Sequence, residues 1–245
     1  MRYFQLDGHP IELILSENLD KEYCTHNHAN HWVLSMVLSG SVFIHIREEK
    51  RHCCSGDYYI LPPYTPHALS LNKHARILSV CVEKEYFNKC NFGQLEREVC
   101  RYVGELSHRY DIPEEYAKHF NDLTGELYRR QAAYDNEVSE EMKEIALMMA
   151  AHPEEEYPLD EISKMVHLNK YQVIKDFKRS VGLSPHQFLL QNRVRKAQRL
   201  LSTQETVLDT SIKMGFYDQS HFDKTFQKIV GLSPTEYLNA KELLG

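Results

Sequence analysis

Apolar and polar positions along this chain follow two different periods, and the change between them divides it. In the first third they alternate as in β-structure. Val33, Met36, Val37 and Leu38 lead into a Ser39-Gly40-Ser41 turn, and Val42-Phe43-Ile44-His45-Ile46 follows, a run rich in residues that suit strands. The polar residues 47–51 predict a hairpin turn, and Ser55-Gly56-Asp57 a second turn ahead of a strand over 58–61. Pro62, Pro63 and Pro66 impose an extended loop that delivers His67 to the next strand, and residues 76–82 make one more. Short strands parted by Gly and Pro turns predict a small β-barrel or jelly roll.

From Glu85 the period becomes helical. Leu95, Val99, Tyr102, Val103 and Leu106 mark one amphipathic helix. Pro113-Glu114-Glu115 starts another, with proline in the first turn and acids near the positive end of the dipole. Along it Tyr116, Phe120, Leu123, Leu127 and Tyr134 repeat at heptad-like spacing, a stripe that suits either a two-stranded seam or packing onto the β-domain. Residues 133–139 are the best linker candidate, with Asp135-Asn136 at their centre. Met142, Ile145, Leu147 and Met149 then open a helix that ends near His152-Pro153.

The strongest pattern is a duplication. Leu159-Asp160, Met165, Val173, Lys175, Phe177, Gly182-Leu183-Ser184-Pro185 and Phe188 return 49 residues later as Leu208-Asp209, Met214, Phe222, Lys224, Phe226, Gly231-Leu232-Ser233-Pro234 and Tyr237. Each copy reads as a short helix, a tight turn and a longer helix, which is helix-turn-helix grammar. In the first longer helix Val173, Phe177 and Val181 fall on one side, and Tyr171, Gln172, Lys175, Lys178 and Arg179 on the other. In the second, Phe222, Phe226 and Val230 face inward, while Ser220, His221, Lys224, Gln227 and Lys228 face out, with Asp218 or Gln219 at the start. Amides, an aromatic ring and cations suit a DNA major groove. Gly182 and Gly231 would end these helices in the left-handed conformation, and each Ser-Pro would open the next. A helix over 185–201 would join the modules, spanning about 25 Å, so that two recognition helices could lie roughly one DNA turn, about 34 Å, apart.

Charge sharpens this picture. Residues 1–152 carry 16 Lys/Arg against 23 Asp/Glu, and residues 153–245 carry 13 against 12. Within 164–199 lie nine cations and one anion, Asp176, the footprint of a polyanion-binding segment. No run of 18 apolar residues exists, so no membrane span is expected, and the first residues lack the apolar centre of a signal peptide. Six cysteines in no regular framework point to free thiols in a reducing cytoplasm. Cys53-Cys54, with Cys24 and Cys81, could supply a redox switch or, more simply, buried inert thiols.

Two stretches resemble a known family. Met214-Gly215-Phe216-Tyr217-Asp218-Gln219-Ser220-His221-Phe222 through Phe226, with Gly231-Leu232-Ser233-Pro234 and Tyr237, is similar to the signature of the AraC/XylS DNA-binding domain. His26-x-His28, Leu38-Ser39-Gly40, Gly56-Asp57 and the Pro62-Pro63-x-x-Pro66-His67 loop resemble the cupin-like sensor domain of the same regulators. The resemblance implies an α+β chain in three parts. Residues 1–85 would be a cupin-like effector-sensing barrel, 86–135 a helical linker and dimerisation segment, and 136–245 an all-α DNA-binding domain. It implies a transcription regulator, an activator rather than a repressor, that binds promoter DNA, a small-molecule effector and RNA polymerase, works as a homodimer and catalyses nothing. The family's base-reading positions carry over to Tyr171, Ile174 and Lys175 in the first unit and to Gln219, Ser220, Asp223 and Lys224 in the second.

His26 and His28 point the same way on a strand, and the resemblance brings His67 to them. Three imidazoles would suit a divalent transition metal. The acid that completes the cupin site is replaced by Val33, with His31 a candidate substitute. The three histidines could equally wall an organic-effector pocket, so an organic effector and a metal stay alternatives here. A cupin enzyme with a DNA-binding tail would need the missing acid, and a DNA-alkylation repair protein would need clustered cysteines.

Overall fold

The computed structural model describes residues 1–6, 10–28, 30–46, 49–134, 139–201 and 205–244. Among the described residues nine strands come first: β1 (Arg2–Leu6), β2 (Ile11–Ser16), β3 (Lys21–His26), β4 (His31–Ser39), β5 (Ser41–Ile46), β6 (Glu49–Cys54), β7 (Tyr58–Leu61), β8 (His67–Leu71) and β9 (Arg76–Glu83). They form two facing sheets. One has the order β1-β2-β9-β4-β7 and the other β3-β8-β5-β6, with every pair among these strands antiparallel. Gly40, at φ 71°, turns the chain from β4 in the first sheet to β5 in the second.

Strand β4 shows how the first sheet is used. Trp32, Leu34, Met36 and Leu38 face one way and Val33, Ser35 and Val37 the other, and all seven are buried. The inner set meets Tyr23, Val42, Ile44 and Tyr59 inside the barrel. The outer set packs under three helices, α1 (Lys84–Lys89), α2 (Phe92–Tyr110) and α3 (Glu114–Tyr134). A strand covered on both faces reads as a nearly continuous apolar run.

The hairpin expected over 47–51 is tighter than its polarity suggested. Ile46 pairs with Glu49, so Glu49, Lys50 and Arg51 are strand residues. They are polar because β6 is an exposed edge strand, where charge discourages pairing with another chain.

All five apolar residues expected on α2 are buried, and so are Tyr116, Phe120, Leu123 and Leu127 of α3. The α3 stripe packs within the chain, against α2 and the outer face of β4. At about 1.5–3 kcal/mol per fully buried side chain it helps hold the helical layer on the barrel. It is therefore not an open dimer seam. The linker expected over 133–139 falls largely on residues 135–138, outside the described residues.

The rest is helical: α4 (Glu140–Ala151), α5 (Leu159–Met165), α6 (Lys170–Val181), α7 (Pro185–Leu201), α8 (Val207–Lys213), α9 (Gln219–Val230) and α10 (Pro234–Ala240). Of the residues expected inside α4, Met142, Ile145 and Met149 are buried, but Leu147 is 51% exposed. The expected fold class is the one found: a β-sheet domain, then a helical domain of two helix-turn-helix units joined by α7. A last strand, β10 (Lys241–Leu244), pairs in parallel with β1 and so joins the first sheet. Among the described residues no helix is long and apolar enough to cross a membrane.

Candidate nucleic-acid interface and effector cavity

The duplicated sequence gives duplicated geometry. Helices α6 and α9 have 12 residues each. Asn169 and Asp218 cap their starts by accepting from the backbone N–H of Gln172 and His221. Val173, Phe177 and Val181, like Phe222, Phe226 and Val230, are buried under them. Ser184 and Ser233 open the following helices in reciprocal capping boxes with Gln187 and Glu236.

On the outer face of α6, Tyr171, Gln172, Ile174, Lys175, Lys178 and Arg179 are all exposed, Tyr171 by 77%. On α9, Gln219, Ser220, His221, Lys224 and Lys228 are exposed too. Asp223 departs from the expected outward face. It is half-buried, and its Oδ1 has no hydrogen-bond partner. Tyr217, 94% exposed just ahead of α9, belongs with this surface although its side chain was not singled out from the sequence.

The nine cations of 164–199 do not form one patch. Arg193 is buried, donating from Nε to the carbonyl of Pro153 at 2.8 Å, from Nη2 to that of Glu155 at 3.0 Å, and from Nη1 to that of Gly215 at 2.6 Å. Pro153 and Glu155 precede the first unit and Gly215 lies in the turn of the second, so one guanidinium joins the two units. Lys196 pairs with Glu154 at 2.7 Å, and Lys170 with Asp160 at 2.7 Å. Arg195 turns toward the β-domain and donates from Nη2 to Nδ1 of His28 at 2.7 Å.

That contact lies beside a cavity in the barrel. Tyr3, Tyr23, Val33, Ser35, Tyr59, Leu69 and Cys81 are among the β-domain residues lining it, and Arg195, Gln198, Ile229 and Val230 enter from α7 and α9. The Tyr23 hydroxyl is buried there with no hydrogen-bond partner. His26, His28 and His67 converge at the same wall, with one ring nitrogen of each within 4.8 Å of the others. Burial holds all three well on the neutral side. The pKa of His26 is lowered to about 4, and those of His28 and His67 fall well below the ordinary value, with Arg195 adding to the effect. His31 does not join the triad. It lines a separate crevice with Glu12, Arg195 and Arg199, and burial lowers its pKa to about 3. Val33 offers the cavity only a methyl wall, and among the described residues no acid joins the three histidines.

The β-domain grips both repeats at matched points. Asn27 donates from Nδ2 to the carbonyl of Val181 at 2.7 Å, and its amide and side chain exchange hydrogen bonds with Gln191. Lys21 donates to the carbonyl of Gly231 at 2.8 Å, and Tyr3 to that of Val230 at 3.1 Å. Gly182 and Gly231, at φ 82° and 96°, end the helices in the left-handed region. A Cβ at Gly182 would lie 2.6 Å from Pro66, and one at Gly231 2.6 Å from the Tyr23 hydroxyl. Each glycine is required by its backbone and again by the close approach of the β-domain.

Comparison with known proteins agrees with this geometry. Residues 162–240 match the family described as a helix-turn-helix domain. The chain is similar to the HTH-type transcriptional regulator MtrA of Neisseria gonorrhoeae, 36% identical over 73 residues, 29% of this chain and 24% of that protein. It is also similar to the HTH-type transcriptional regulator YbfI of Bacillus subtilis, 29% identical over 108 residues, 44% of this chain and 37% of that one. The match thus spans well under half the length of these relatives. Among solved structures the crystal structure of ToxT from Vibrio cholerae O395 superposes with a TM-score of 0.63 at 16% identity, over 94% of this chain and 98% of that one. An unsaturated fatty acid bound form of ToxT gives a TM-score of 0.59 at 14% identity, over 92% and 94%. At such identities the likeness is one of fold, and it takes in both domains. Residues 162–240 thus carry a helix-turn-helix domain similar to those of these transcriptional regulators.

The joints of the chain were hidden from sequence reading. Arg193 and Arg195 are two residues apart in one basic helix, and only the fold turns one into a weld and the other toward the β-domain. The cysteines do not assemble. Cys24 and Cys54 are exposed and Cys53 and Cys81 buried. Burial pushes the Cys81 thiol up to about 12 and raises that of Cys53 as well.

Proposed function

We propose that the protein is a sequence-specific regulator of transcription, an activator, that reads promoter DNA with α6 and α9 and is controlled by a small organic effector in the barrel cavity. The carrying observation is that α7 and α9 supply part of the cavity wall, through Arg195, Gln198, Ile229 and Val230. An occupant would touch the DNA-binding half directly, and would shift its conformation by any difference in affinity for the two arrangements. The lining suits an amphipathic molecule. Apolar residues cover most of it, the unpartnered Tyr23 hydroxyl offers one hydrogen bond, and the Arg195 cation stands at one side. A bound fatty acid in the ToxT relative fits that character.

Base reading falls to Tyr171, Gln172, Ile174 and Lys175 on α6 and to Gln219, Ser220, His221 and Lys224 on α9, with Lys178, Arg179 and Lys228 suited to phosphates. Activation implies contact with RNA polymerase. A homodimer would use surfaces other than the α3 stripe. The boundaries 1–85, 86–135 and 136–245 serve as the working division, with β10 crossing back to the first part.

The test is a reporter driven by a promoter recovered from a genome-wide binding map, comparing the intact chain, residues 136–245 alone, and Tyr23→Phe. Loss of the effector response on truncation, and a weakened response in Tyr23→Phe, are expected. A response that survives truncation would remove the sensor role.

A further inference from the structure

The three histidines differ in a way that fixes their protons. Nδ1 of His26 lies 2.9 Å from the carbonyl of Cys24, and Nδ1 of His67 lies 3.0 Å from that of Thr65. A carbonyl only accepts, so both rings carry their proton on Nδ1 and leave the Nε2 lone pair free. Histidines that ligate metals are held in this way, by an acceptor on the nitrogen that faces away from the ion. His28 is reversed. Its Nδ1 faces the guanidinium of Arg195 at 2.7 Å, and a guanidinium only donates. His28 therefore accepts at Nδ1 and keeps its proton on Nε2.

We propose that His26, His28 and His67 form a site for a divalent transition ion of the zinc class, and that Arg195 and the ion are alternative partners of the His28 ring. Three imidazoles with no carboxylate are a donor set for zinc, cobalt or nickel, with a further position left to water or effector. The exclusion follows from the proton inventory. An ion on Nδ1 of His28 takes the atom that Arg195 occupies. An ion on Nε2 displaces the proton there, and the ring then carries its proton on Nδ1, where donor would face donor. Either mode breaks the Arg195–His28 bond and sets a second positive charge beside the guanidinium. The other hydrogen bond of Arg195, to Gln198 Oε1 at 3.5 Å, stays within α7. Ion loading thus detaches Arg195 of α7 from the sensor wall. That last step rests on the sensor reading above, whereas the ion site and its competition with Arg195 do not.

The test titrates zinc or cobalt ions alone into the metal-stripped full chain by calorimetry. Binding of one ion per chain is expected in the wild type, with no binding at the same concentrations in His67→Ala. Arg195→Met should bind the ion at least about tenfold more tightly, since its competitor is a charged hydrogen bond. Arg195→Gln, which lacks the cation, should move the same way and serves if the methionine variant fails to fold by circular dichroism. An absence of stoichiometric ion in both wild type and Arg195 variants would overturn the site. Equal affinity in wild type and Arg195 variants would overturn the competition. On a duplex selected from random DNA, the ion should alter wild-type affinity and leave Arg195→Met unchanged. An ion that binds as described yet leaves wild-type DNA affinity unaltered would overturn the coupling alone.

Discussion

Replacing Arg193 with methionine tests whether the two helix-turn-helix units act as one body. The substitution keeps most of the apolar stem and removes a buried cation that donates to three backbone carbonyls. Hydrogen bonds to charged groups contribute roughly 1.5–3 kcal/mol each, but such contributions are not additive. Gly215 is exposed, so water can reach its carbonyl once the arginine is gone. A net loss of about 3 kcal/mol in the helical domain is therefore expected. At roughly 2 kcal/mol per molar urea, that lowers the midpoint by about 1.5 M.

The single tryptophan makes the assay specific. Trp32 is buried in the first sheet, its ring centroid 5.5 Å from that of Phe87, so its fluorescence follows the β-domain while far-UV circular dichroism follows mainly the helices. In Arg193→Met the helical signal should fall at lower urea than the tryptophan signal. Lys196→Met is the control, because it removes only a surface-accessible ion pair with Glu154, worth about 1 kcal/mol or less. If Arg193→Met shifts the helical midpoint no further than Lys196→Met does, the weld is wrong.

Three other outcomes follow from the same geometry. Lys175→Ala and Lys224→Ala should each weaken binding to a selected duplex by roughly 1–3 kcal/mol if they reach base edges, measured by fluorescence anisotropy; an equal loss on random DNA would place them on phosphates instead. Gly231→Ala should cost more than the roughly 1–2 kcal/mol of a left-handed non-glycine residue, because its Cβ meets the Tyr23 hydroxyl, and adding Tyr23→Phe should recover the excess in a urea melt; no recovery would show that the crowding is not at that hydroxyl. Timed alkylation followed by peptide mass spectrometry should modify Cys24 and Cys54 first and leave Cys81, with its thiol pushed up to about 12, unreacted in the folded chain; early labelling of Cys81 would contradict the closed barrel.

The parts of this architecture that repeat were legible in the sequence. The 49-residue offset located both units, their glycine ends and their exposed faces, because each depends on local spacing. The barrel was legible where turns punctuate it, at Gly40, Gly56 and the proline loop. Strands β1, β2 and β3 were not assigned individually, although 11–16 alternate buried and half-buried positions and Asp7-Gly8 with Pro10 is a turn signal ahead of them. The polar 49–51 looked like a turn because charge on an edge strand and charge in a loop read alike. The α3 stripe had two readings, and only the position of the barrel chose between them. Contacts between residues far apart in sequence, Asn27 with Gln191, Lys21 with Gly231 and Arg195 with His28, leave no periodic trace at all.

The central claim, that α6 and α9 read DNA together from one rigid body, is tested most directly by selecting binding sites for the full chain from random duplexes. Two short conserved blocks whose centres lie about one helical turn apart, roughly 10–11 base pairs, are expected, with the block read by α9 lost in Lys224→Ala and the other in Lys175→Ala. A single block, a variable spacing, or enrichment indifferent to both lysines would contradict it.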